Sequence, residues 1–178
     1  MMINPNNAYL AYSYLQICGF VTNPWNLRGN ITYTTAAKFQ EQVHCIEKAT
    51  ASTCKGRLGE GQCYSGAFTL VEDGPDLEGT RAAYRRYERM FYPTLNNMAE
   101  NLPISNRQLF FYTFAAYWCS NDDTNGGKTK KDEHSPIHFR VDFVLSQMNQ
   151  FQEAFGCKAG SKMVQEKKCY AFGDLLKT

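Results

Sequence analysis

Cysteine placement is the tightest constraint on what this chain folds into: thiols stand at positions 18, 45, 54, 63, 119, 157 and 169, spread over most of its 178 residues. So many in one short chain point to an oxidising compartment and a disulfide framework. The count of seven is odd, so at least one thiol stays unpaired or bonds to another chain. Cys54 and Cys63 flank a glycine-rich stretch in "STCKGRLGEGQC", which is expected to be a loop or hairpin stapled by its own disulfide, because so short a loop is easily closed. Asn30-Ile31-Thr32 is a glycosylation sequon, in weak agreement with secretion. The apolar stretch 8–17 lacks a basic flank and a small-residue cleavage site, and it is too short to span a bilayer. The expectation is therefore an extracellular or secreted protein whose given sequence holds no signal peptide or transmembrane segment, so Met1 reads as the edge of an incomplete chain.

A chain of this length holds one core more readily than two, so residues 1–178 are expected to form a single domain. The formal charge is +2 and the basic residues are scattered; the densest run, Lys128, Lys130 and Lys131, sits beside Asp132 and Glu133 in a polar tract. Nothing in that pattern points to nucleic acid. Twelve Phe, eleven Tyr and two Trp supply the apolar area for a helical core. Helix signals dominate, and no repeat or domain boundary is evident. Asn7 can cap a helix over 8–18 that Gly19 stops, and Thr34 or Thr35 can cap a second over 35–49. A third covers 78–92 and stops before Pro93. Ser105 caps a fourth over 106–119, whose Leu109, Phe110, Phe114, Tyr117 and Trp118 are expected to be deeply buried. After the polar tract 120–133, Ser135-Pro136 opens a fifth helix that runs through Phe155 and ends at Gly156.

Four stretches in order, "YLQICGF", "TLVEDGPD", "RQLFFYTFAAYWCS" and "DEHSPIHFRV", supported by "KFQEQVHC", "AFGCKAGSKM" and "KKCYAF", resemble the C-terminal part of the neprilysin and endothelin-converting enzyme family of zinc metallopeptidases. The resemblance runs from about Asn7 to Phe172. It implies a mainly α, disulfide-bonded domain like the C-terminal part of a gluzincin catalytic domain, truncated at its N-terminus. The family's zinc helix carries His-Glu-x-x-His followed by Gly-Phe: two His four apart share a helix face and bind zinc, and the Glu activates the metal-bound water. With register set by Gly19-Phe20, Tyr14 stands at the first His, Leu15 at the general base and Cys18 at the second His. A phenol of pKa about 10 is a poor zinc ligand and leucine takes no proton.

Glu72 and Asp76 match the family's third zinc ligand and the carboxylate that orients a ligand His. Gly74 and Pro75 lie between them, so a helix is expected to begin there with Asp73 as its cap and Glu72 aimed differently. His134 and Arg140 match residues that stabilise the oxyanion and bind the substrate carbonyl; read from the residues alone, Ser135-Pro136 is a helix start and Arg140 an ion-pair partner. His134 and His138 are four apart, but Pro136 between them argues against a zinc pair. His44 reads as solvent-facing or hydrogen-bonded. The resemblance implies a Cys45 to Cys169 disulfide, and it leaves Cys119 and Cys157 without the partners the family has near its N-terminus. They stay free, join each other, or tie to another chain. Cys18 is left over. Asn7-Ala8-Tyr9 echoes the family's edge-strand motif at too short a distance, and Phe172 stands where the family has Trp.

The functional expectation is a catalytically inactive homologue of this peptidase family, no longer an enzyme and without a zinc cofactor, that binds a peptide or another protein chain. The alternatives are a peptidase for small peptides with an altered metal site built on Cys18, Glu72 and His134, or a truncated duplicate without activity.

Overall fold

The computed structural model describes residues 33–58, 66–119 and 134–170. The expected first helix, the glycine-rich loop and the polar tract 120–133 lie outside the described residues. What is described is helical: α1 (Tyr33–Leu58), α2 (Gly66–Phe91), a short 3-10 turn (Thr94–Asn96), α3 (Asn106–Tyr117), α4 (Ile137–Ser146) and α5 (Asn149–Phe155). α1 lies along α2, α2 also packs on α4 and α3, and α3 packs on α5.

In α1, Val43, Ile46, Thr50 and Cys54 are buried; their spacing of three and four places them on one face. The helix continues through Ser52–Leu58, correcting the expectation of a loop from residue 52. Gly56 costs a helix only about 1 kcal/mol, and burial of Thr53 and Cys54 favours the extra turns.

In α2 the buried stripe is Leu70, Asp73, Leu77, Arg81 and Tyr84, again three and four apart. The helix passes through Pro75, so the start expected at 74–75 with Asp73 as cap is also corrected. A helical proline loses one hydrogen bond and crowds the carbonyl four residues back, about 3 kcal/mol. Each large apolar side chain buried along the stripe contributes about 1.5–3 kcal/mol, so burial outweighs the local penalty.

Ser105 opens α3 with a capping box: its hydroxyl accepts from the Gln108 amide at 3.2 Å, and the Gln108 side chain accepts from the Ser105 amide at 3.0 Å. The deep burial expected of Leu109, Phe110, Phe114, Tyr117 and Trp118 is corrected: the side chain this helix sends into the core is Phe111. Phe111 is fully buried, stacked on Tyr84 at 5.2 Å between ring centroids and meeting Phe151 edge-on at 5.4 Å. Tyr112 and Tyr117 are 52% and 82% exposed. Leu109, Phe110, Phe114 and Trp118 are half-buried.

The single helix expected over 136–155 is two. At the break, the amides of Gln147 and Met148 bond three residues back, to Val144 and Leu145, and Met148 is extended. The carbonyls this frees are taken up by other parts of the chain. Ser146 O accepts from Gln152 Nε2 at 3.1 Å and Lys168 Nζ at 2.7 Å, and Gln147 O accepts from Arg81 at 2.8 Å. Gly156, in the left-handed region at φ 61°, ends α5.

Residues 157–170 then run back without helix to the Cys45–Cys169 disulfide. Arg81 donates to Cys169 O at 2.5 Å, pairs with buried Glu78 at 3.0 Å, and lies 4.2 Å over the Tyr170 ring centroid. Cys54 is also in a disulfide; Cys63 and Cys18 lie outside the described residues. Among the described residues no helix is long and apolar enough to cross a membrane.

Candidate functional site

One turn of α2 carries Glu72, Asp73 and Asp76, and because that helix stays continuous through Pro75 it presents them to the start of α4. Arg140 comes from the first turns of α4 and is almost fully buried. Its Nε donates to Asp76 Oδ2 at 2.5 Å and one terminal nitrogen donates to Glu72 Oε2 at 3.2 Å. The guanidinium lies 4.4 Å from the centroid of the Trp118 ring, at the end of α3. His134 Nε2 stands 3.7 Å from Glu72 Oε2, with both side chains partly exposed. The site is therefore built from the α2 carboxylates, an α4 cation and an α3 aromatic ring, and it opens to solvent at Glu72 and His134.

The electrostatics follow from burial. Asp73 is pushed up to about 6, first by loss of solvent and also by the charge of Asp76; hydroxyl hydrogen bonds from Thr69 and Ser135 oppose the rise. Ser135 Oγ donates to Asp73 Oδ2 at 3.0 Å. Burial alone would lower the Arg140 pKa, but the Asp76 hydrogen bond and the charges of Asp76, Glu72 and Asp73 outweigh it and leave it above its ordinary value.

Of the positions singled out in the sequence, Glu72, Asp76, His134 and Arg140 converge here. Tyr14, Leu15 and Cys18 lie outside the described residues. His44 is exposed, with its Nδ1 2.7 Å from Glu47. His138 is exposed on α4 and belongs instead to an open groove of 360 Å³ shared with Trp118, Cys119 and Asp142. Cys119 and Cys157 are free thiols, the first exposed and the second half-buried. Sequence reasoning missed the Asp73–Ser135 bond and the Trp118 ring. Ser135 sits in a Ser-Pro pair that serves equally as a helix start, and Trp118 in a run of aromatic residues that serves equally as core.

A tetrahedral zinc ion needs three or four N, S or O donors. Among the described residues no group of three or more His, Cys, Asp or Glu side chains could hold a metal ion. The Glu72 carboxylate is taken up by a guanidinium and an imidazole.

The disulfide-tied helical domain brings together the carboxylates, histidine and arginine on which the sequence resembles the C-terminal part of a zinc metallopeptidase family. The family model for Peptidase family M13 matches residues 20–171, and the chain belongs to that family. It is 38% identical over 136 residues to neprilysin-3 of Drosophila melanogaster, covering 74% of this chain and 17% of that protein. It is 35% identical over 143 residues to human neprilysin, covering 78% and 19%. It is 34% identical over 149 residues to endothelin-converting enzyme 1 of Cavia porcellus, covering 81% and 19%. The chain thus spans about a fifth of the length of these relatives. The matched residues begin at Phe20, so Tyr14, Leu15 and Cys18 precede them.

Proposed function

We propose that this chain is a catalytically inactive member of the M13 peptidases, extracellular and disulfide-bonded, which binds peptide or protein rather than cleaving it. The observation that carries the reading is the donor set. In the register that Gly19-Phe20 sets, leucine stands at the expected base position and takes no proton, and a phenol and one thiol stand where the resemblance expects the helix imidazoles. Glu72, at the position of the remaining ligand, is engaged by Arg140. The half-exposed Glu72 and His134 put a carboxylate and an imidazole side by side at the mouth of the site, a combination suited to hydrogen-bonding the amide groups of an extended peptide. Cys119 and Cys157 offer points at which another chain joins covalently.

The test is zinc quantitation on the dialysed protein together with a peptide-cleavage assay with and without chelator. The expected result is no stoichiometric zinc and no chelator-sensitive cleavage. One ion per chain with chelator-sensitive hydrolysis would overturn the proposal.

A further inference from the structure

We infer that Arg140 supplies, within this chain, the positive charge that a metal ion would otherwise bring to the Glu72 and Asp76 carboxylates. The inference rests on the inactive reading above and states how such a site holds together. Glu72, Asp73 and Asp76 fall within five residues of one helix, and like charges one turn apart repel each other. A positive group between them relieves that repulsion where the helix packs against α4.

Arg140 meets that need by geometry. Two nitrogens of one guanidinium reach two carboxylates, Nε to Asp76 and a terminal nitrogen to Glu72, and the Trp118 ring holds the plane in place. Guanidinium suits the task because it stays charged at every accessible pH and is only weakly hydrated, so burying it is less costly than burying an ammonium. His134 is placed to add to the neutralisation of Glu72 when protonated, but only from the exposed side. With two of its nitrogens committed to carboxylates, Arg140 acts on the site as a counter-charge and positioning residue.

A mutant cycle on the full chain tests this, read as the thermal midpoint at pH 7. Arg140→Met is expected to lower the midpoint by about 5–10 °C, because it strands two carboxylates. The pair Glu72→Gln with Asp76→Asn is expected to lower it as well, since it strands a buried cation. Adding that pair to Arg140→Met is expected to raise the midpoint, recovering at least about half of the loss, so the same two substitutions change sign with the background. Arg140→Lys, which keeps the charge and loses the fork, falls between wild type and Arg140→Met. It serves as the background for the same comparison where Arg140→Met does not fold, and there the neutral pair costs less than in wild type.

Purely additive losses in zinc-free protein would overturn the inference and reduce Arg140 to a stem packed on Trp118. A stoichiometric zinc ion in the wild type that is lost on Glu72→Gln would overturn both this inference and the inactive reading.

Discussion

Lys168 carries its charge into a half-buried position, where its Nζ donates to the Ser146 carbonyl at 2.7 Å. Burial, and then the nearby charge of Arg81, pull its pKa from 10.5 down to about 8. The folded chain therefore holds this proton less tightly than the unfolded chain does. Below about pH 8 both states are charged and the penalty is fully present; from about 8 to 10.5 the unfolded state binds more protons, so stability rises with pH. Tyr84, pushed up to about 12 by burial, acts in the opposite direction, but only from about pH 10 upward. Urea unfolding should thus show a gain of order 1 kcal/mol between pH 7.5 and 9.5, after allowance for solvent screening, and Lys168→Met should flatten that segment. Nothing in the local sequence announces this lysine, because its environment is made by the break between α4 and α5 and by Arg81. The same limit applies at the candidate site. The four-residue spacing of Glu72 and Asp76 is visible in the sequence, whereas Arg140 reaches Asp76 across 64 positions, a juxtaposition that only the packing of α4 on α2 creates.

Helix ends that depend on local chemistry were legible, and helix continuity that depends on burial was not. The Ser105 start and the Gly156 stop are set within a few residues by side-chain capping and by a left-handed glycine. The passage of α2 through Pro75, the extra turns of α1 to Leu58 and the break at Gln147 are each settled by groups far away in sequence. These two kinds of feature should respond oppositely to substitution. Ser105→Ala removes a cap and should cost about 1 kcal/mol in denaturant unfolding. Pro75→Ala restores an amide inside a helix already held by its buried stripe. A helical proline costs about 3 kcal/mol relative to alanine, and the looser unfolded chain of the alanine variant takes back somewhat under 1 kcal/mol. A net gain of about 2 kcal/mol is expected. A loss instead would mean that the proline aims the Glu72 turn and that packing has adapted to it.

At the scale of the described residues, two fastenings meet at Cys169, and they differ in kind. The Cys45–Cys169 bond joins residues 124 apart; no local pattern reveals a pairing over that distance, and only the family resemblance implied it. In the chain-entropy model a loop of that size is worth about 5 kcal/mol, so Cys45→Ser with Cys169→Ser should lower the thermal midpoint by about 10–20 °C. The second fastening is polar: Arg81 donates to the carbonyls of Cys169 and Gln147, and Gln147 Oε1 accepts from the Cys169 amide at 2.8 Å. Because those bonds survive without the sulfur bridge, residues 157–170 should stay docked in the double serine variant, and the amide at position 169 should remain protected from hydrogen exchange. Arg81→Met alone removes the guanidinium that pairs with buried Glu78 at 3.0 Å, at about 3–5 kcal/mol, yet the disulfide still holds the segment in place. Removing both should release it, with exchange at residue 169 rising to the rate of an open chain while the amides of α2 and α4 stay slower. Loss of protection at residue 169 in the double serine variant alone would show that the disulfide governs the docking of Cys169 and that Arg81 follows it passively.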